Sequence, residues 1–165
     1  MFKDLTVQHV TFVSKRPFSE VVKAFEHNVG TLEEAGWFSI PASSKDAAEF
    51  EDRVKQTLGP SGFTRFLTID HGEWLRIQGI EAKFMQYIIG NPLIAITMLR
   101  HNIEAGLDVP VRLAIFEDER GDTKLVYNTP SSLMGGLGNA ELTTAARQLD
   151  AKLLALGEMV TGVKA

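Results

Sequence analysis

Residues 111–128, VRLAIFEDERGDTKLVYN, decide the predicted fold of this chain. Two runs within them, 111–116 and 123–128, are rich in the apolar and β-branched side chains that favour strands. The residues between the runs, 117–122, form a charged turn of hairpin length. The stretch therefore predicts an antiparallel β-hairpin.

The elements predicted on either side of the hairpin do not alternate regularly between strand and helix. Apolar and alternating runs predict strands over residues 7–13, 63–69 and 82–89. Apolar side chains at helical spacing predict helices over residues 18–29, 47–58, 92–100 and 139–156. This order favours the α+β class, with a mixed, mostly antiparallel sheet and helices packed mainly on one face.

Residues with strong end preferences predict where the helices begin and end. Asn91 is expected to cap the helix that Pro92 begins, because proline at the first helical position loses no hydrogen bond. A glycine after an apolar helical run is a common C-terminal cap. We therefore expect helix ends at Gly30 and Gly157 and a helix start at Ser43 or Ser44.

The length and charge of the chain limit the classes of partner. A chain of 165 residues is long enough to bury a core of its own, so residues 1–165 are predicted to form a single domain. The net charge of −4 argues against nucleic-acid binding, which needs a basic face. No stretch approaches the roughly 20 apolar residues of a membrane span. We expect neither nucleic acid nor membrane as a partner.

The cysteine count and the beginning of the chain bear on compartment and chemistry. The chain has no cysteine, which excludes disulfides, thiolate catalysis and cysteine-ligated metals. The first ten residues carry charges and lack an apolar stretch of signal-peptide length. A cytoplasmic location is therefore expected.

The part of the chain from about residue 63 to 157 resembles the bacterial and archaeal domain-of-unknown-function family 302. Four short motifs in the same order carry the resemblance: residues 88–93, 107–112, 117–121 and 126–131. The resemblance implies an α+β fold with a sheet covered by helices, and a homodimer. It implies no reaction. The sequence departs from the family pattern at residues 41–60, which are predicted to form an added helix.

Polar residues at two strand ends are the candidate ligand-binding group. Asn91 follows one predicted strand, and Tyr127 and Asn128 end another. Open sheets tend to bind ligands at one end, where such side chains converge. A hydroxyl and two carboxamides can hold a small polar molecule. The alternative is purely structural, with Asn91 as a helix cap and Asn128 as part of a strand exit.

His71 and Glu73 are the candidate catalytic residues. An imidazole near a carboxylate has the composition of an acid–base pair, which suits a small hydrolase or isomerase. Such chemistry needs hydrogen-bond distance between the groups, and neighbours along a chain often point apart. A polar surface turn is the alternative interpretation.

No metal or cofactor is predicted. The four histidines, at positions 9, 27, 71 and 101, lie singly and do not have the spacing of a known metal site. Residues 134–139 are rich in glycine but lack the lysine of a phosphate-binding loop.

The sequence as a whole predicts a homodimeric domain that binds or senses a small molecule, without catalysis of its own. An acid–base enzyme that uses His71 and Glu73 is one alternative. A protein–protein interaction module is another, in which an exposed apolar face would contact the partner. The helix over residues 93–99 and the final leucine-rich helix are most simply core, and a second apolar side on either one would form a subunit interface.

Overall fold

The computed structural model describes residues 2–32 and 37–164 and contains a six-stranded sheet in the order β1-β6-β5-β4-β3-β2. The short edge strand β2 runs parallel to β3, and every other neighbouring pair is antiparallel. The strands are β1 His9–Ser14, β2 Val29–Thr31, β3 Phe63–Asp70, β4 Phe84–Gly90, β5 Val111–Glu117 and β6 Thr123–Asn128. The predicted α+β class, its mixed sheet and its hairpin are confirmed.

Seven α-helices lie within the described residues: α1 Phe18–Asn28, α2 Ile40–Ser43, α3 Ala47–Gln56, α4 His71–Ile77, α5 Pro92–Leu99, α6 Pro130–Met134 and α7 Ala140–Thr161. Three short 3₁₀ turns cover Trp37–Ser39, Ile103–Leu107 and Gly135–Leu137. The helix predicted over residues 47–58 is α3, and segment 41–60 also contains the end of α2. Asp70 caps α4 by accepting from the Glu73 amide, so a helix replaces the polar turn considered there.

The covered face of the sheet carries rows of apolar residues under α1 and α7. One row pairs Phe12 with Leu125 and continues to Ile115. These three side chains are at most 2% exposed, and Phe25 of α1 and Leu149 of α7 belong to the same core cluster. Side chains alternate between faces along a strand, so the opposite face keeps the intervening residues. The described elements thus bury one side of the sheet.

Gly157 lies in the interior of α7 and was wrongly predicted to end it. The helix continues to Thr161 and ends at Gly162, whose φ of 71° suits glycine. A Cβ on Gly157 would overlap the buried ring of Phe12, within 2.6 Å of its Cζ atom. The glycine is therefore needed for close packing of helix on strand, which sequence spacing alone did not distinguish from a cap.

Two other predicted helix ends also differ. Gly30 lies in β2 and does not cap α1, which ends directly in that strand. A side chain on Gly30 would overlap the backbone of Thr57, so the residue is small because two segments meet there. The cap of α3 is Asp46, whose carboxylate accepts from the Glu49 amide at 2.9 Å, and neither Ser43 nor Ser44.

The predicted cap at Asn91 is confirmed. Its side-chain oxygen accepts from the Leu93 amide at 2.9 Å, and Pro92 is the first residue of α5. This start was predictable because cap and proline are adjacent in sequence and act on the same turn.

The two tyrosines of the chain lie on the covered face and are almost fully buried. The Tyr87 hydroxyl donates to Glu26 Oε1 at 3.1 Å, and Arg65 pairs with the same carboxylate. Burial, followed by the negative charge of Glu26, raises the pKa of Tyr87. Burial, followed by the charge of Asp150, raises the pKa of Tyr127 to about 12.

We expect Gly157→Ala to lower the free energy of unfolding by about 1–3 kcal/mol, because the new methyl group overpacks the contact with Phe12. The matched control is Gly135→Ala, where nothing lies within 4 Å of the added carbon. The control is expected to leave stability unchanged or raise it by up to about 1 kcal/mol. Urea denaturation measures both, and equal effects of the two substitutions would contradict the packing role.

The pKa values of Tyr87 and Tyr127 are raised above the ordinary tyrosine value of about 10. We therefore expect the folded protein to form little tyrosinate at pH about 11. In guanidinium chloride both tyrosines should ionise near the ordinary value. The unfolded chain then releases these protons at lower pH than the native chain, so stability should fall as pH rises from about 10 to 12. Near-ultraviolet absorbance follows tyrosinate and circular dichroism follows folding. Half-ionisation at pH about 10 in a folded sample would contradict the burial.

Candidate functional site

A cavity of about 300 Å³ lies on the uncovered face of the sheet, at the end where β5 begins and β6 ends. Its floor is the small side chain of Ala114, which pairs with Gln86 on β4 and with Val126 on β6. Pro110 and Leu133, from the segments outside β5 and β6, add apolar wall. A small residue between two larger neighbours is what makes the sheet surface concave here.

His9 and Asn128 form a hydrogen-bonded pair at the rim of the cavity. The two residues are direct cross-strand partners on β1 and β6, and both line the cavity. His9 Nδ1 and Asn128 Oδ1 are 2.8 Å apart. With the amide oxygen as acceptor, the Asn128 amide nitrogen remains available to donate to a bound molecule.

Arg112 supplies the positive charge of the cavity. It pairs with Ile88 across the sheet and is exposed, and its guanidinium has no hydrogen bond or ion pair with the residues that the structure describes. Asp108 lies on the same wall. Burial raises the pKa of the Asp108 carboxyl, against the opposing effect of the Arg112 charge. The guanidinium is therefore near a carboxyl group and still has its donors free.

The structure brings Tyr127 and Asn128 to this cavity and places Asn91 elsewhere. Tyr127 is one of the residues that line the cavity. Its side chain lies on the covered face, like those of its cross-strand neighbours Val10 and Leu113. Asn91 uses its oxygen to cap α5, and its nitrogen donates to the Gly62 carbonyl at 3.0 Å. Both ends of that amide are thus engaged in backbone contacts.

His71 and Glu73 are not adjacent in space as an acid–base pair. Both belong to α4, two positions apart, and such helical neighbours do not face each other. The His71 ring lies edge-on to Phe84, and its Nε2 atom is 3.2 Å from Gln86 Oε1. Glu73 is exposed. His71 therefore reaches the cavity only through Gln86.

Sequence reasoning missed four polar residues of the cavity: His9, Gln86, Asp108 and Arg112. Arg112 carried a usable signal, because it is a charged residue in the outward phase of an otherwise apolar strand. His9 carried none, since its pairing with Asn128 depends on contact between strands at opposite ends of the chain. Gln86 and Asp108 are likewise selected by sheet register and loop path.

The described residues contain neither a cluster of metal ligands nor a membrane-spanning helix. Within residues 2–32 and 37–164, no three histidine, aspartate or glutamate side chains are grouped closely enough to hold a metal ion. In the same ranges, no helix is long and apolar enough to cross a bilayer.

Part of this chain is similar in sequence to two channel proteins. This chain is 30% identical over 92 residues to the fluoride-specific ion channel FluC 1 of Brucella suis biovar 1 (strain 1330). The aligned residues cover 55% of this chain and 36% of that protein. The identity to FluC 2 of Brucella melitensis biotype 1 is also 30% over 92 residues, with 34% of that protein covered. The chain spans about a third of the length of these relatives.

The fold is shared with an uncharacterized conserved DUF302 protein from Bacillus stearothermophilus whose crystal structure is known. The two structures superpose with a TM-score of 0.66 over 92% of this chain and 97% of the other, at 18% sequence identity. The sequence pattern of the domain of unknown function DUF302 matches residues 38–160, a range that includes segment 41–60. The chain therefore belongs to the DUF302 family.

Proposed function

We propose that this protein binds a small molecule carrying a carboxylate or similar oxyanion in the cavity on the open sheet face. The observation that carries the proposal is Arg112, a guanidinium in a concave site whose donors are not used by the described residues. Guanidinium groups bind carboxylates through two parallel hydrogen bonds, which gives both energy and orientation. Arg112 is thus the anchor of the proposed site.

The remaining polar groups support selection of a small and polar ligand. The cavity volume of about 300 Å³ is at the lower end of the range for ligand sites. Asn128 and Gln86 offer amide groups, and Asp108 can accept from a donor on the ligand. A ligand with an anionic end and a hydroxyl or amine end fits this arrangement. A binding or sensing role follows, without chemistry of its own.

Neither catalysis nor ion conduction is part of the proposal. His71 and Glu73 lack the mutual contact that acid–base chemistry needs, and Glu73 does not line the cavity. The similarity to the Brucella channels covers about a third of those proteins, so their activity as whole proteins does not carry over to this chain.

We also propose that the protein is a homodimer that functions in the cytoplasm. Trp74 and Ile77 of α4 are 57% and 81% exposed and lie three positions apart, on one side of the helix. An exposed apolar face of this kind supports contact with a second copy, which would bury the same face from both chains. The lack of cysteine fits a reducing compartment.

We expect Arg112→Gln to weaken binding of a small dicarboxylate such as succinate by on the order of 10- to 100-fold, because the charge-assisted hydrogen bonds are lost. Two-dimensional ¹H–¹⁵N NMR measures this directly, since the side-chain amides of Asn128 and Gln86 report on the cavity. In the wild type these signals should shift as succinate is added.

The matched control for this titration is Arg76→Gln, which removes an exposed arginine of α4 outside the cavity. Its affinity for succinate should equal that of the wild type. If the wild-type amides do not shift with succinate or inorganic phosphate, or if Arg112→Gln and Arg76→Gln have the same effect, the proposed anion site is wrong.

We expect native mass spectrometry to give a dimer mass for the wild type and a monomer mass for the double variant Trp74→Ala, Ile77→Asp. An aspartate placed in an apolar contact leaves a desolvated charge on both sides of the symmetric interface. Ile103→Asp, at another residue that is 81% exposed, should remain dimeric. A monomeric wild type, or a dimeric double variant, would contradict the proposal.

A further inference from the structure

The structure holds a second cavity, of about 400 Å³, on the covered side of the sheet between α5 and the segment that leads into β5. We propose that it binds an uncharged apolar molecule, such as a small fused-ring compound or a medium-length alkyl chain. This binding is independent of the anion site proposed at Arg112. The walls of the second cavity are apolar side chains from α5, from residues 109–111 and from Leu149 of α7.

The chemistry of the walls excludes a charged ligand. No charged side chain lines the cavity among the described residues. Its one polar side chain, Asn91, is committed at both ends to the Leu93 amide and the Gly62 carbonyl. Polar groups on a ligand would therefore lose water without gaining a partner, which is unfavourable. Apolar groups would gain from leaving water.

A β-bulge shapes one wall of the cavity. The register between β3 and β4 shifts between Arg65 and Leu67, so that Phe66 is the extra residue. Bulges redirect a side chain out of the regular alternation. The Phe66 ring lies against Gly90, where an added Cβ would be 2.9 Å from its Cε2 atom and 3.2 Å from Pro110. This wall of the cavity is tightly packed.

Helix α5 provides the opposite wall and has more apolar surface than the core covers. Its sequence, PLIAITML, is apolar except for Thr97, whose hydroxyl is turned back to the Ile94 carbonyl at 2.6 Å. A helix that is apolar on all sides is normally fully buried. Here only Met98 is fully buried, while Ala95 and Leu99 are partly accessible and line the cavity.

The volume sets the size of the ligand. An engineered apolar cavity of about 150 Å³ is large enough for benzene. The cavity described here is more than twice that volume and is concave, which suits a small molecule better than a flat protein surface. This cavity and the cavity at Arg112 are distinct, although Pro110 and Val111 line both of them.

The test uses the neutral fluorescent probe N-phenyl-1-naphthylamine, displaced by a series of straight-chain 1-alkanols from butanol to decanol. Burial of one methylene is worth about 0.8 kcal/mol, so each added methylene should raise the alkanol affinity roughly fourfold until the cavity is full. The proposal would be overturned if the protein does not bind the probe, or if the alkanol affinities do not rise with chain length.

Ala95→Phe should fill the cavity and weaken probe binding at least tenfold, and Ala95→Leu should have a smaller effect in the same direction. Melting curves verify that each variant folds. If Ala95→Phe does not fold, the affinity of Ala95→Leu decides the outcome. Ile103→Ala, at an exposed residue outside the cavity, should bind the probe as the wild type does. Unchanged affinity in both Ala95 variants would overturn the proposal.

A second copy of the chain is the competing occupant. Sedimentation of the wild type and Ala95→Phe over a range of concentrations distinguishes it from a small ligand. We expect the same association state for both proteins and a probe affinity that does not depend on protein concentration. A dimer that Ala95→Phe dissociates would assign the cavity to a subunit interface and overturn the proposal.

Discussion

The packing of α7 across one face of the sheet is the contact on which the other features depend. It reaches from the apolar side chains of β1 to those of α5, and Gly157 lets the helix approach until its backbone meets the Phe12 ring. Because strand residues alternate in direction, this contact fixes which side chains of every strand are buried. A slip of one residue in any strand would move its apolar set to the open side.

One-sided burial divides the molecule into surfaces with different roles. The covered face is filled mainly by apolar side chains, and the hydroxyl of Tyr87 on this face is paired internally with Glu26. The outward residues are not needed for the core, so they are free to carry charge and amide groups. The anion site that we propose around Arg112 and Asn128 lies on this open surface, and the apolar cavity lies where the cover of the other face ends.

The features that sequence predicted well are the ones set by residues close together in the chain. The hairpin of β5 and β6 and the start of α5 at Asn91 each depend on a few neighbouring residues. The class of the fold followed from the order of such elements, and the family resemblance agreed with it. The structure also confirms strands near residues 7–13, 63–69 and 82–89, with small shifts at their ends.

The features that sequence did not predict depend on contacts between distant segments. Gly30 and Gly157 have the composition of helix caps, but each is small because another segment passes close to its Cα atom. The candidate group was divided in the same way. Asn91 directly follows β4 and Asn128 is the last residue of β6, yet the two residues line different cavities. His9 joined Asn128 only through the pairing of β1 with β6.

That pairing has a consequence for how the protein is made. His9 and Asn128 are 119 positions apart, so β1 leaves the ribosome long before β6, its neighbour among the described strands, exists. At synthesis rates of about 5–20 residues per second, the wait is roughly 6–24 s. Throughout that time the backbone groups of β1 cannot pair with β6 and stay available to other nascent chains. β1 can therefore complete its pairing only after residues 123–128 have been synthesised.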